Sequence, residues 1–442
     1  MIEVSKSALP LLFSALSVVL ILSGCSKSPG TTVQEPAAGE PAKPAVQTEP
    51  VTVTIGANPF FLTDEELKKY VADPVKKKYP HITVVRSNDM PKGTQTVEEM
   101  VVNKNIPDIL VDAPYALMKI IGLGVTQNMD DLIRKHQFDK NRLLPELIDS
   151  LKTATGLDYM VSLPFYNNAF GLFYNADLFD KFAVSYPTDK MTWEEIQKKA
   201  VQLTREEGDK KYIGLWAGDA MWGGYQLGLP YLDKEKKKAM LDTEDWRSVL
   251  ALWKSLYDTQ GALMPPAGTN YEQLFFDGQV AIAFGHMGTL QKLRETNPFN
   301  WNVFTYPSNN KAPGFGQRAD TYNMLITQQS KNKDAAFQVI SVVLSDEVQL
   351  EWSRNGKMSV LKDTSIHNEF GKAITAFQNK NVAALTKAKL QVIQPFVYDY
   401  PTLPVIRINT AFNEVLHQGK DINTALREAN ELMEQDTKAF LK

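Results

Sequence analysis

The sequence predicts an α/β protein in which strands and helices alternate, and three neighbouring segments indicate this class. Residues 51–55 alternate between apolar and polar positions, as a half-buried strand does. Residues 64–79 are polar with a helical composition, and residues 81–85 are again β-rich. These segments form one βαβ unit. Residues 106–111 form the buried strand of a second unit.

Later segments carry the signals of amphipathic helices. The sequence Thr192-Trp193-Glu194-Glu195 is a capping box, and the apolar residues that follow it fall on one face of a helix. Further helices with a buried apolar stripe are predicted from residue 334 and from residue 422. The sequence has no repeat of the length found in solenoid proteins.

The composition excludes several classes of protein. The chain has 442 residues, of which 43% are hydrophobic, and this is typical of a globular protein with two or three domains. A net charge of −3 argues against a nucleic-acid partner. The single cysteine, Cys25, excludes an internal disulfide, a CxxC redox pair and a cysteine-rich zinc site.

The first fifty residues predict a secretion signal, a lipid anchor and a linker. Residues 8–22 are uncharged and follow Lys6, but they are fewer than the roughly 20 residues that a membrane-spanning helix needs. They end in Leu22-Ser23-Gly24-Cys25, which resembles the lipobox of bacterial lipoproteins. That resemblance implies that residues 1–24 are removed and that the Cys25 sulfur is lipidated. The alternative is a cleaved signal with an incidental cysteine. Residues 25–50 are rich in proline and lack aromatic residues, so we expect a disordered linker.

Catalytic and metal-binding motifs are missing from the sequence. The five histidines are scattered, and there is no HExxH, GxSxG, GxxxxGK[ST] or GxGxxG motif. The sequence therefore predicts a protein that is not an enzyme and that holds no metal or cofactor. A glycosidase needs only two carboxylates, which 51 acidic residues can supply, so an anchored carbohydrate-active enzyme remains an alternative.

Several motifs, taken in order, resemble the family 1 extracellular solute-binding proteins, the group that contains maltose-binding protein. The resemblance extends from about residue 51 to the end of the chain. It rests on Lys78-Tyr79-Pro80, Leu163-Pro164-Phe165-Tyr166, Phe173-Tyr174-Asn175-Ala176-Asp177-Leu178-Phe179, Met191-Thr192-Trp193-Glu194-Glu195-Ile196 and Phe275-Phe276-Asp277-Gly278-Gln279-Val280-Ala281-Ile282.

The resemblance implies a two-lobed periplasmic-binding-protein type II fold, with hinge crossovers and a ligand in the cleft between the lobes. The first lobe is expected to contain residues 51–164 and about 305–350, and the second about 165–304 and 351–442. The resemblance also implies a monomer on the extracytoplasmic face of the cell membrane, held there by its lipid anchor. Its partners are then a small-molecule ligand and the permease subunits of an ABC importer.

Many relatives in this family bind carbohydrates, which require aromatic platforms for their CH faces and planar polar groups for their hydroxyls. Aromatic residues lie among the glycines of residues 214–225, and further candidates follow predicted strands, where α/β proteins bind ligands. The candidate ligand-binding residues are Phe60, Asp112, Tyr166, Asn167, Trp216, Trp222, Tyr225, His286, Arg318, Asp320 and Tyr398.

Each group of candidates has a structural alternative. Trp216 and Trp222 can fill a hydrophobic core, and His286 can be structural. Arg318 and Asp320 can simply pair with each other. Phe60 can be a core or helix-staple residue, and Tyr398 can pack between the lobes. The ligand also has alternatives, namely a peptide, a polyamine or a ferric ion. A further alternative function is the ligand-presenting subunit of a sensor.

Overall fold

Two five-stranded sheets form the framework of the protein. The computed structural model describes residues 49–57, 61–87, 96–233, 235, 238–395 and 403–440. The signal peptide, Cys25, nearly all of the linker, Phe60 and Tyr398 lie outside these residues. The described residues belong to one structural unit, Thr48–Lys442.

The strands of the described residues belong to these two sheets and to a further two-stranded sheet. They are β1 (Val51–Ala57), β2 (Ile82–Arg86), β3 (Ile109–Asp112), β4 (Leu163–Asn167), β5 (Phe170–Asn175), β6 (Arg205–Glu207), β7 (Lys210–Trp216), β8 (Val280–His286), β9 (Trp301–Thr305), β10 (Phe315–Arg318), β11 (Thr321–Ile326) and β12 (Lys389–Gln391).

The α-helices cover the faces of these sheets. They are α1 (Asp64–Leu67), α2 (Asp73–Lys78), α3 (Val97–Asn103), α4 (Pro114–Gly122), α5 (Asp130–Lys135), α6 (Pro145–Thr155), α7 (Ala176–Lys181), α8 (Trp193–Leu203), α9 (Met221–Leu227), α10 (Glu244–Asp258), α11 (Tyr271–Phe276), α12 (Met287–Thr296), α13 (Lys333–Val343), α14 (Asp346–Arg354), α15 (Thr364–His367), α16 (Leu403–Gln418) and α17 (Ile422–Phe440). In the part of the chain that the structure covers, no helix is both long and apolar enough to cross a membrane.

The first sheet has the strand order β2-β1-β3-β11-β4. The strands β1, β2 and β3 are parallel, as the predicted βαβ units require, whereas β11 runs antiparallel to β3 and β4. The predicted strand at residues 106–111 begins only at Ile109, because the Asp108 carboxylate is engaged by Thr54. It accepts hydrogen bonds from the Thr54 backbone N–H at 2.9 Å and from its hydroxyl at 2.8 Å.

The second sheet has the strand order β6-β7-β8-β5-β9. The strands β7 and β8 are parallel, and β5 runs antiparallel to β8 and β9. Beneath this sheet, Trp193, Trp246 and Trp253 are almost completely buried. The α/β prediction is therefore confirmed in both sheets.

The local helix signals are also confirmed. In α8, the Thr192 hydroxyl accepts from the Glu195 N–H, and the Glu195 carboxylate accepts from the Thr192 N–H, which is the predicted capping box. The apolar face of α8 is buried. The helices predicted from residues 334 and 422 are α13 and α17.

Short segments lead from one sheet to another. Asn168 and Ala169 connect β4 of the first sheet to β5 of the second. Ala319 and Asp320 connect β10, which pairs with β12 in a separate two-stranded sheet, to β11 of the first sheet. These segments are hydrogen-bonded to each other, since the Asn168 N–H donates to the Asp320 carbonyl at 2.8 Å. A third segment joins them at Met358, whose carbonyl accepts from the Asn167 N–H at 3.0 Å.

The packing of two segments bears on the lobe boundaries. Trp352, Val360, Leu361 and Ile366, expected in the second lobe, pack in the core of the first sheet. Tyr306, expected in the first lobe, packs in the core of the second sheet. We therefore propose that the chain passes between lobes near residues 168, 319 and 367.

Candidate functional site

The edges of the two sheets that flank the crossing segments carry most of the candidate residues. At the first sheet, β3 ends at Asp112 and β4 ends at Asn167. At the second sheet, β7 ends at Trp216, and β8 ends at His286 opposite the first residue of β5, Phe170. Because ligands of α/β proteins bind beyond the carboxyl ends of strands, these facing edges form the candidate site.

Five aromatic side chains, which we call the aromatic ledge, line the edge of the second sheet: Phe170, Trp216, Trp222, Tyr271 and Phe284. The Trp222 ring lies 4.6 Å from Phe284 and 5.1 Å from Phe170. Trp216 stacks on Tyr271 at 6.2 Å, with an angle of 10° between the rings. Both tryptophans are half-buried over buried phenylalanines. The ledge therefore combines a fixed base with partly accessible indole rings.

The glycines around Trp222 allow this arrangement. A Cβ atom on Gly223 would clash with Trp253, and one on Gly224 would clash with Trp246, so α9 packs directly on the core. Gly218 has a positive φ of 74°, and a Cβ atom there would lie 2.9 Å from the Trp222 ring. The glycine-rich segment is thus a close-packed turn and helix that presents Trp222.

A charged pair lies next to the aromatic ledge. The Arg318 guanidinium lies 4.0 Å above the centre of the Tyr225 ring, and its Nη2 is 3.9 Å from Asp320 Oδ1. The other Asp320 oxygen accepts from Asn168 Nδ2 at 3.1 Å. The separation of 3.9 Å is too long for a hydrogen bond, so the pair is available to bond a ligand as well.

Tyr166 and Asn167 are used mainly by the protein itself. The Tyr166 ring is 4% exposed and stacks on Tyr322 at 4.4 Å, while its hydroxyl donates to the Phe61 carbonyl at 3.2 Å. The Asn167 amide is fully buried and joins the crossing segments, accepting from the Asp320 N–H at 3.0 Å. Both residues therefore stabilise the segments that surround the site.

His286 caps a helix. Its Nδ1 accepts from the Gly288 N–H at 2.9 Å at the start of α12, and burial lowers the pKa of the imidazole. The ring also meets Phe170 edge-on at 6.5 Å. His286 therefore lies beside the aromatic ledge, with one ring nitrogen committed to the helix.

Asp112 stands apart from the charged pair, on the first sheet. Its Oδ1 accepts from the Ala113 N–H at 2.8 Å, and burial raises the pKa of the carboxyl to about 6. Such a carboxyl is poorly solvated when charged. Because the folded state favours the protonated carboxyl, Asp112 stabilises the folded state at pH values below 3.8, the ordinary pKa of the group. This contribution is lost as the pH rises towards 6.

We expect Asp112→Asn to raise the free energy of unfolding at pH 7 by about 1–3 kcal/mol, because asparagine keeps the oxygen acceptor without a buried charge. The gain should disappear at pH 4. Urea unfolding at the two pH values measures it, with the exposed Asp209→Asn as control. An equal change at both pH values would contradict the assignment of a buried charge.

The structure adds residues that the sequence analysis does not predict. Phe170, Phe284 and Tyr271 complete the aromatic ledge, and Asn168 holds Asp320. The position of Phe170 beside the first crossing is a signal that points to one of them. Among the described residues, no three His, Cys, Asp or Glu side chains lie close enough together to hold a metal ion.

Comparisons with known proteins agree with this architecture. A putative binding protein of Brucella abortus is 23% identical over 264 residues, which are 56% of this chain and 61% of that protein. Among solved structures, an ABC substrate-binding protein of Listeria monocytogenes in complex with cycloalternan has a TM-score of 0.69 at 19% identity, covering 88% of this chain and all of that one. The sugar-binding protein MalE of Xanthomonas citri has a TM-score of 0.70 at 18% identity, covering 88% and 98%.

These structural similarities confirm the two-lobed periplasmic-binding-protein fold. Residues 70–373, more than half of the chain, match the family described as bacterial extracellular solute-binding protein. The chain therefore belongs to the bacterial extracellular solute-binding protein family.

Proposed function

We propose that this protein is a receptor that binds a sugar, specifically an oligosaccharide, between its lobes and delivers it to an ABC permease. The aromatic ledge beside Arg318 and Asp320 carries this proposal. A pyranose ring has an apolar face that packs on aromatic rings and a rim of hydroxyls that bond planar polar groups. The Listeria and Xanthomonas proteins, whose folds resemble this one, are described as binding cycloalternan and sugar.

The candidate residues divide into two groups under this proposal. Trp216, Trp222, Tyr225, Arg318 and Asp320 contact the ligand from the second sheet and its neighbouring crossing. The first sheet contributes Asp112, while Tyr166, Asn167 and His286 position the groups around them. Phe60 and Tyr398 remain ligand-binding residues proposed from the sequence.

We also propose that the mature protein is a monomer anchored to the extracytoplasmic face of the cell membrane through lipidated Cys25. The lipobox-like sequence that ends at Cys25 and the proline-rich linker up to residue 50 support this. Two acyl chains suffice for stable anchoring. A tether keeps the receptor close to its permease.

Thermal unfolding with a panel of mono- and oligosaccharides tests the sugar proposal. We use residues 25–442 with Cys25→Ser. A ligand at a thousandfold excess over its Kd raises the free energy of unfolding by about 4 kcal/mol, because it binds only the folded chain. We expect one glycan series to raise the unfolding midpoint by several degrees at millimolar concentration.

Peptides, polyamines and ferric ion form the comparison panel. If the folded protein responds to none of the sugars, the sugar proposal is wrong. A response to the comparison panel alone would identify a receptor for that class of solute.

A further inference from the structure

Two buried polar groups beside Tyr225 have no hydrogen-bond partner. They are the Arg318 Nε and the Tyr231 hydroxyl, and both atoms are enclosed by the protein. Buried polar groups are almost always hydrogen-bonded in folded proteins, so an unpartnered pair in one place requires an explanation. Tyr231 belongs to the buried core of the second sheet, and Tyr225 and Arg318 beside it are residues of the proposed sugar site.

Tyr225 connects the two groups. The Arg318 guanidinium covers one face of the Tyr225 ring at 4.0 Å, and the Tyr231 ring meets Tyr225 nearly perpendicularly at 6.3 Å. Burial raises the pKa of Tyr231 well above its usual value, Tyr225 raises it further, and the nearby charge of Arg318 opposes the rise. The Tyr231 hydroxyl is therefore neutral and can both donate and accept a hydrogen bond.

The position of the Tyr231 hydroxyl is fixed by packing. The Tyr231 ring stacks on Trp246 at 5.8 Å, with 26° between the rings. Trp246 is fixed in turn, since its Nε1 donates to the Pro230 carbonyl at 3.2 Å. This stacked pair holds the hydroxyl in place beside the Tyr225 side chain, so it is positioned to bond a group that reaches Arg318.

The guanidinium extends from this enclosed place towards the site. Its Nε is enclosed, but the Arg318 side chain as a whole keeps 14% of its surface exposed, and the neighbouring Asp320 keeps 19%. Trp222, half-buried on the aromatic ledge, meets Tyr225 at 5.5 Å. The unpartnered groups thus lie one side chain beneath the surface that carries the proposed sugar site.

We infer that Arg318, Tyr225 and Tyr231 form an inner subsite that takes one oxygen-bearing substituent on the exocyclic carbon of a bound sugar, a hydroxymethyl or a carboxylate group. This inference rests on the proposed sugar-binding function. Arg318 and Tyr231 donate hydrogen bonds to the substituent oxygen, and Asp320 accepts a hydrogen bond from the substituent where it is a hydroxyl. The inner subsite makes the receptor selective for sugars that carry this substituent.

The test uses Tyr231→Phe, which removes only the hydroxyl. Because this hydroxyl has no partner in the ligand-free protein, its removal should leave the unfolding midpoint unchanged or slightly raised. Calorimetry should show the affinity for the preferred glycan reduced about tenfold, the loss of roughly one hydrogen bond. The 6-deoxy form of the same glycan should bind both proteins equally, and the uronic acid form shows whether the carboxylate is preferred.

The matched control is Tyr257→Phe. Tyr257 is also buried in the second lobe, but its hydroxyl donates to the Gly218 carbonyl at 3.0 Å. Its removal should lower the unfolding midpoint, which the removal of the Tyr231 hydroxyl should not do. The two variants therefore separate a hydroxyl that serves the ligand from one that serves the fold.

Each result has one meaning. If the natural sequence binds no glycan, both the proposed function and the inner subsite are wrong. If it binds a glycan and Tyr231→Phe binds equally well, only the inner subsite is wrong, and the enclosed groups hold nothing more than water. A fall in the unfolding midpoint of Tyr231→Phe as large as that of Tyr257→Phe would also overturn the inference.

Discussion

Replacing Trp222 by alanine is expected to weaken glycan binding by about 30-fold or more, since an aromatic anchor at the centre of a binding site commonly contributes 2 kcal/mol or more. The indole ring is half-buried and rests on Phe170 and Phe284. It is thus held in place before the ligand arrives, and little ordering is needed on binding. Isothermal titration calorimetry with the glycan found by thermal unfolding measures the change.

Two control variants accompany Trp222→Ala. Trp222→Phe keeps an aromatic face and should recover much of the affinity. Tyr186→Ala removes an exposed aromatic side chain that lies beside Tyr174, outside the aromatic ledge, and should bind normally. If Trp222→Ala is folded and binds with unchanged affinity, Trp222 is a packing residue and the ledge does not bind the sugar.

The elements with strong local signals could be predicted from the sequence. The capping box at Thr192 depends on residues three positions apart, and the alternation of β1 depends on five consecutive residues. Both patterns are set by the geometry of one helix or one strand. The structure confirms both patterns.

The composition of the candidate site could be predicted only in part. The sequence indicates Trp222 because it is a tryptophan among glycines. Phe170 and Phe284 lie in strands, where an apolar residue is as typical of the core as of a binding site. Their position at the sheet edge depends on the pairing of Phe170 with His286, which are 116 positions apart. A single sequence carries no signal for that register.

Roles that depend on several distant segments could not be predicted. Asn167 bonds Asp320 and Met358, which reach it from two other parts of the chain. Likewise, Tyr231 attracts attention only because the structure leaves its hydroxyl enclosed and unpartnered. These roles come from tertiary contacts rather than from local preference.

The largest loss of stability is expected for Gln349→Leu, which should lower the free energy of unfolding by about 3–5 kcal/mol. Gln349 is fully buried on α14, and all of its hydrogen-bonding capacity is used. Its Nε2 donates to the carbonyls of Phe165 at 2.9 Å and Val343 at 3.1 Å. Its Oε1 accepts from the Ser359 hydroxyl at 2.8 Å and the Val360 N–H at 3.2 Å. Leucine leaves these four groups without that partner.

Urea unfolding measures this loss, and Gln202→Leu, on the exposed face of α8, should change stability by no more than about 0.5 kcal/mol. The consequence extends to binding, because Gln349 joins β4 to the segment at Ser359, and both lead into the crossings between the sheets. A loosened connection there should also weaken glycan affinity in the folded variant. A loss of stability below about 1 kcal/mol would show that the surroundings reorganise and that Gln349 does not fix these crossings.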